Sequence, residues 1–335
     1  MIQMKLSIII PLYNSQDFIG NCLESLLRQD YNDIEIIVVN DGSTDNSKNI
    51  VERLAKENSN IRLLDKTNGG IGTARNLGVD KATGQYLYFI DSDDYIVENT
   101  LSLLMSIILN NNLEILGFAT RNTKLLNQNT SSNKHMFHSE SNISIHTGEE
   151  FIGKYNYRTE VWWYIIKKDF YDNSELRFHP RKFVQDSYFT PSLFLKAKRI
   201  GFIPIDVHRY VTNVNSITNT DSPEHIQKHM NDLLFAISQL HKLIKKAKTN
   251  ECKNRLKNRQ QSYVFFFFIR FAKSKMAFNE LNQVIKEFKS YGAYPLTDFI
   301  GKDYNGIKYK ILTYTFNSPP LRNLFLFVLR TTIRG

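Results

Sequence analysis

The first 120 residues alternate short β-branched runs with stretches of helical periodicity, and few folds accommodate that alternation. Leu6–Ile10, Ile34–Val39, Ile61–Leu64, Gln85–Ile90 and Ile115–Ala119 read as strands. Between the first two, Phe18, Ile19, Cys22, Leu23, Leu26 and Leu27 recur at helical spacing. A second helix turns Ile50, Val51 and Leu54 inward. Further helices are expected from about Thr73 to Lys81 and from about Asn99 to Leu109. Asn14 or Ser15, and Ser43-Thr44, stand where N-caps are expected. Ile34–Val39 is nearly all β-branched, as in a strand covered on both faces. Connections this short predict an α/β fold with a doubly wound, mainly parallel sheet. A content of 42% apolar residues excludes a disordered chain.

At 335 residues the chain has room for about two domains, and its charge divides it. Residues 225–335 hold 20 Lys+Arg and 6 Asp+Glu, a net of +14, and residues 1–224 have a net of −4. We expect a catalytic domain over 1–224, with halves at about 1–120 and 121–224, and a basic helical region over 225–335. Residues 121–147, rich in Asn, Ser and Thr, read as a loop over the sheet edge. Cys22 and Cys252 form no disulfide framework and fit a reducing compartment. No secretory signal is read at the N-terminus, and no stretch reaches the roughly 18–20 apolar residues of a membrane span. A soluble or membrane-peripheral protein is expected.

Ligands of open α/β sheets bind beyond the carboxyl ends of the strands. The first strand runs into Pro11-Leu12-Tyr13-Asn14, the second into Asn40-Asp41-Gly42-Ser43, and the fourth into Asp91-Ser92-Asp93-Asp94. Tyr13 can cover a flat base, and Asp41 can accept a hydrogen bond from a base N–H or serve a turn. Asp91 and Asp93 suit a hard divalent cation, Mg²⁺ or Mn²⁺, that keeps waters and takes its other oxygens from phosphates. Such a crevice reads as a site for a nucleoside diphosphate and a metal. The turn Gly69–Gly72 lacks the Lys of a P-loop and does not follow the first strand, so it is no dinucleotide fingerprint.

Ser7-Ile8-Ile9-Ile10-Pro11-Leu12-Tyr13-Asn14, then Val39-Asn40-Asp41-Gly42-Ser43-Thr44-Asp45, then Asn68-Gly69-Gly70 with Ala74-Arg75-Asn76-Leu77-Gly78, then Phe89-Ile90-Asp91-Ser92-Asp93-Asp94, occur in that order. With this wording and spacing the chain resembles a family 2 glycosyltransferase of the GT-A fold over roughly residues 5–220. The resemblance implies donor contacts at Pro11, Tyr13, Asp41, Arg75, Asp91 and Ser92. It further implies a metal on Asp93 with Asp91 nearby on the ribose. Gln185-Asp186 stands where relatives carry Glu-Asp, which makes Asp186 the implied catalytic base. His208, near the place of a metal-ligating His in some relatives, is read as a structural, hydrogen-bonded residue. Arg209-Tyr210 to Ser216-Ile217 resembles the family's closing segment. No Gln-x-x-Arg-Trp motif is present, so one sugar per encounter is implied.

The implied reaction is an inverting, metal-assisted displacement. It moves a hexose or N-acetylhexosamine from a nucleotide sugar to a glycan or lipid-linked acceptor in cell-surface polysaccharide assembly. UDP is the expected nucleotide, with GDP and dTDP as alternatives. A non-catalytic nucleotide-sugar or glycan-binding protein of the same fold is the alternative reading. Nucleic-acid binding is set aside: the crevice is acidic and no nucleic-acid motif is present. In the C-terminal region, Tyr263–Ile269 and Leu321–Arg334 place aromatic and aliphatic residues beside Lys and Arg. On a helix, Arg322, Arg330 and Arg334 fall in one sector beside Leu324, Phe325, Phe327 and Val328. We expect a basic stripe on an anionic membrane at the cytoplasmic face, with packing of these helices into a core as the rival.

Overall fold

Nine strands among the described residues form one mixed sheet in the order β3-β2-β1-β4-β8-β6-β9-β5, with β7 paired to β9. The strands are β1 (Leu6–Leu12), β2 (Ile34–Asn40), β3 (Ile61–Asp65), β4 (Tyr86–Phe89), β5 (Tyr95–Ile96), β6 (Ile115–Thr123), β7 (Ile145–His146), β8 (Tyr164–Lys167) and β9 (Ile200–Val211). The computed structural model describes residues 5–124, 132–138, 143–180, 184–212, 222–297 and 306–334. The expected strands all form, at nearly the expected bounds. Parts of the expected 121–147 loop, and residues 213–217 of the closing segment, lie outside the described residues.

The β1–β4 half is parallel: β1 pairs with β2 and β4, and β2 with β3. Ile36, Ile37, Val38 and Val39 of β2 are fully buried, as their apolar run requires. Each such side chain contributes about 1.5–3 kcal/mol on burial. Helices α1 (Ile19–Leu27), α2 (Ser47–Glu57), α3 (Ile71–Lys81) and α4 (Leu101–Asn110) supply the connections. Gly78 lets α3 lie close on β1, since a Cβ there would stand 2.4 Å from Ile9 Cγ2. The other half mixes directions. β8 runs antiparallel to β4 and β6, whereas β6 and β9 are parallel.

The expected N-caps are displaced. Phe18 precedes α1 without a side-chain cap, after a turn in which the Ser15 carbonyl accepts from the Phe18 and Ile19 amides. Asn46 precedes α2, where Asp45 Oδ1 accepts from the Ser47 amide at 3.0 Å. Asn14, Ser15 and Ser43 instead tie neighbouring loops together.

The chain divides into two units. The first comprises Met1–Gly148, Arg158–Lys182 and Ser192–Ser216, and the second Glu149–Tyr157, Phe183–Pro191 and Ile217–Gly335. Besides Ile217–Gly335, the second unit thus draws two short segments from within the expected 1–224 domain. The remaining helices are α5 (Gly148–Lys154), α6 (Lys168–Asn173), α7 (Asp186–Phe194), α8 (Pro223–Lys246), α9 (Asn250–Lys273), α10 (Phe278–Ser290), α11 (Ile307–Asn317) and α12 (Pro319–Arg334). Ser222 caps α8 ahead of Pro223, and Thr249 caps α9.

The core of the second unit is built on α9. Phe267, Phe268 and Phe271 are fully buried among Leu281, Phe288, Phe316 and Leu326. The phenylalanine run is therefore core, not a membrane surface. The expected basic stripe is also overturned. Arg322 is buried and donates to the Tyr294 hydroxyl and to Asn282 Oδ1. Arg330 donates to the carbonyls of Phe271 and Met276 at 3.0 and 2.9 Å, with its guanidinium 4.3 Å from the Phe271 ring centre. A cation there satisfies a carbonyl in the last turn of α9. Both arginines share a sector, as expected, but that sector faces the core. The side chain of Arg334 lies outside the described residues.

Candidate active site

Three loops meet at the carboxyl edge of the parallel strands. From the end of β1, Asn14 adopts φ 47° and its Oδ1 accepts from the Thr44 amide at 2.8 Å. The Ser15 amide donates to Ser47 Oγ, and the Ser15 hydroxyl is 2.7 Å from that of Ser92. These bonds join the ends of β1, β2 and β4, the convergence expected from the topology. Pro11 is buried within β1, whereas the Tyr13 ring is 42% exposed at the rim, free to stack on a flat partner.

Asp41 is committed to the glycine-rich turn. Its Oδ1 accepts from the Gly69 amide at 2.9 Å and pairs with Lys66 Nζ, and its Oδ2 accepts from the Gly70 amide at 2.7 Å. Gly70 at φ 92° and Gly42 at φ 76° occupy backbone conformations that favour glycine. Sequence reasoning missed Lys66; its position three residues before Gly69 was the available signal.

The acidic loop after β4 splits into three environments. Asp91 pairs with Arg75, Nη2 to Oδ1 at 2.9 Å. The Arg75 side chain is buried, with its guanidinium 5.2 Å from the Phe178 ring centre. Arg75 therefore sits behind Asp91 and orients it. Asp94 is fully buried; its Oδ1 accepts from the Val211 amide, and its Oδ2 lies 2.9 Å from His208 Nε2. His208 Nδ1 in turn is 2.9 Å from the Tyr88 hydroxyl, and the Trp162 ring stacks on the imidazole at 4.5 Å. Burial pushes His208 down to about 3, which keeps it neutral, and pushes Asp94 up. His208 is thus the structural histidine expected, with both ring nitrogens occupied.

Asp93 differs from both neighbours. No cation pairs with it among the described residues. Burial, then the charges of Asp94 and Asp91, push its carboxyl from the usual 3.8 up to about 7. Among the described residues no three His, Cys, Asp or Glu side chains form a closed metal cage. A hard cation that keeps waters and takes diphosphate oxygens needs no such cage. The residues fit that kind of ion, because Asp93 carries an oxygen donor whose charge no cation among the described residues offsets.

Asp186 lies in the second unit, in the first turn of α7. Beside it, Gln185 is 1% exposed, and among the described residues neither its Nε2 nor its Oε1 has a hydrogen-bond partner. Two orphaned polar groups destabilise the fold by about 1–3 kcal/mol each. Gln185→Met, of similar shape, is expected to raise the melting temperature of the free protein. An unchanged or lower melting temperature would show that the amide is satisfied.

The chain matches the family model for Glycosyl transferase family 2 over residues 7–174, half of its length. It belongs to that family. It is similar to the uncharacterized glycosyltransferase EpsJ of Bacillus subtilis, 34% identical over 233 residues. That match covers 66% of this chain and 66% of the relative, just under two thirds of each. In fold the chain is similar to TarS 1–349 of S. aureus in complex with UDP-GlcNAc, at TM-score 0.64 and 22% identity. That likeness covers 86% of this chain and 80% of TarS 1–349. A mannosyltransferase of Pyrobaculum calidifontis, in complex with GDP-Man and Mn2+, is more distant, at TM-score 0.55 and 14% identity over 98% of this chain and 86% of that one. The GT-A fold expected from the motifs is thereby shown.

Proposed function

We propose that the protein is an inverting transferase. It moves one hexose or N-acetylhexosamine from a nucleotide sugar, UDP-linked in the first instance, to a glycan or lipid-linked acceptor. The observation that carries this reading is the lone carboxylate of Asp93 at a rim built from three strand ends. A partly buried carboxylate raised to about 7 by like charges is a site held ready for a cation. The family membership and the donor complexes of the structural neighbours support the reading.

In this proposal Tyr13 covers the base, and Asp41 holds the base edge while fixing the glycine turn. Asp91, oriented by Arg75, takes the ribose, and Ser92 and Pro11 shape the floor. Asp93, with Asp91 beside it, would hold Mn²⁺ or Mg²⁺. Such an ion offsets the negative charge that the leaving nucleoside diphosphate gains. Asp186 accepts the proton of the acceptor hydroxyl as the new bond forms. Nucleotide sugar and acceptor would meet in the cytoplasm at the inner face of the membrane, during cell-surface polysaccharide assembly.

Nucleotide release from a panel of UDP-, GDP- and dTDP-sugars, with Mn²⁺ or with EDTA, tests the proposal. Metal-dependent release from one donor is expected. No release from any donor, or release indifferent to EDTA, would contradict it.

A further inference from the structure

Seven of the ten large apolar side chains exposed among the described residues lie on α11 and α12. On α11, Ile307, Ile311 and Tyr314 follow at steps of four and three, within about 60° of one another around the helix. On α12, Leu321, Leu324, Phe327 and Val328 cover a sector of about 120°. Ile307 is 78% exposed, Tyr314 70% and Leu324 62%. The opposite stripes, Leu312 and Phe316 on α11 and Phe325, Leu326 and Leu329 on α12, pack on the α9 core. Both apolar faces therefore point away from that core. Large contiguous apolar faces of this kind mark contact surfaces.

We propose that the outward face of α11 and α12 docks on an anionic lipid surface. The charge around it selects that occupant. Residues 306–334 contain no Asp or Glu, and with Arg322 and Arg330 turned to the core, Lys308 and Lys310 are the described cations left beside the outward face. Lys308 and Lys310 are exposed beside Ile307 and Ile311. A second copy of the chain, seated face to face, would set these lysines against their own kind with no acid here to pair them. Anionic headgroups pair them, and the apolar stripe enters the headgroup boundary. No helix among the described residues is long and apolar enough to cross a membrane, so the pair lies in the interface plane. The surface differs from the stripe expected from sequence: lysines and an apolar face make it, while Arg322 and Arg330 brace the core behind it.

Flotation of the full chain with neutral phosphatidylcholine vesicles and with vesicles containing phosphatidylglycerol, at low and high salt, tests the proposal. It is read without donor or acceptor, so it stands apart from the proposed reaction. Salt-sensitive flotation with the anionic vesicles alone is expected. Leu324→Glu/Phe327→Glu should lower the bound fraction by about tenfold or more, with melting temperature and nucleotide release unchanged. Lys308→Gln/Lys310→Gln should lower it less and remove part of the salt dependence. No flotation of the wild type, or flotation undiminished in Leu324→Glu/Phe327→Glu, would overturn the proposal. So would a stable oligomer that this variant dissociates in the absence of vesicle binding.

Discussion

Asp93→Asn is expected to transfer no measurable sugar and yet to melt at a higher temperature than the wild type in EDTA at pH 8. The two effects share one cause. In the metal-free protein Asp93 is pushed from 3.8 up to about 7 by burial and by the charges of Asp94 and Asp91. A carboxyl whose pKa is higher folded than unfolded binds its proton more tightly in the folded state. Below about pH 4 the group is protonated in both states and costs nothing. As pH rises from about 4 to 7, the unfolded state sheds its proton first and stability falls; above 7 the full cost is present. One pKa unit corresponds to about 1.4 kcal/mol, and the amide should recover about 1–3 kcal/mol at pH 8. The gain should vanish near pH 4. The same amide is a poor partner for a hard cation, so metal-dependent nucleotide binding should be lost. Calorimetric melts across pH, with nucleotide titrations in Mn²⁺, check both halves. A destabilised variant at pH 8, or one that retains metal-dependent binding, would remove Asp93 from its assigned role.

The second large effect is expected at Asp186. Asp186→Asn keeps the side-chain size in the first turn of α7 but loses the carboxylate that can take a proton. Transfer should drop by about 10²–10⁴-fold. Loss of a negative charge near a helix N-terminus weakens the fold by only about 0.3–1 kcal/mol, so the protein should still fold. Affinity for the nucleotide with Mn²⁺ should be unchanged, which confines the loss to kcat. An equal fall in nucleotide affinity and in rate would move Asp186 into the donor site.

What the sequence discloses follows from where its physics is local. β1 to β4 and their helices are legible because unbroken β-branched runs alternate with clean helical periods. β9 is hidden by Gly201, Pro204 and Asp206, which read as strand breakers. In the structure Pro204 sits in a bulge: Phe118 faces Ile203, but the next residue, Ala119, faces Asp206. Asn133 holds the bulge, accepting from the Asp206 amide and donating to the Pro204 carbonyl. The C-terminal helices fail differently. A run of four phenylalanines has no face, and a helical wheel places Arg322 beside Arg330 without saying which way the sector points. Only the packing of Phe316, Phe325 and Leu326 on α9 decides that.

The site shows the same division. Asp41, Asp91 and Asp93 were legible as a group from the strand ends. Their different partners were not, because Lys66 reaches Asp41 and Arg75 reaches Asp91 from other parts of the chain, while His208 takes the neighbouring Asp94. From the three carboxylates alone, Asp91 and Asp93 are equivalent. The Arg75 pair on Asp91 and the absence of a cation on Asp93 among the described residues make them unlike.

The most direct measurement of the donor site is an anomalous difference map from crystals soaked with UDP and Mn²⁺. The account predicts a single strong peak at the Asp93 carboxylate beside the diphosphate, with the uracil against Tyr13 and Asp41. A nucleotide bound away from the β1, β2 and β4 loops, or bound there with no metal peak at Asp93, would contradict it.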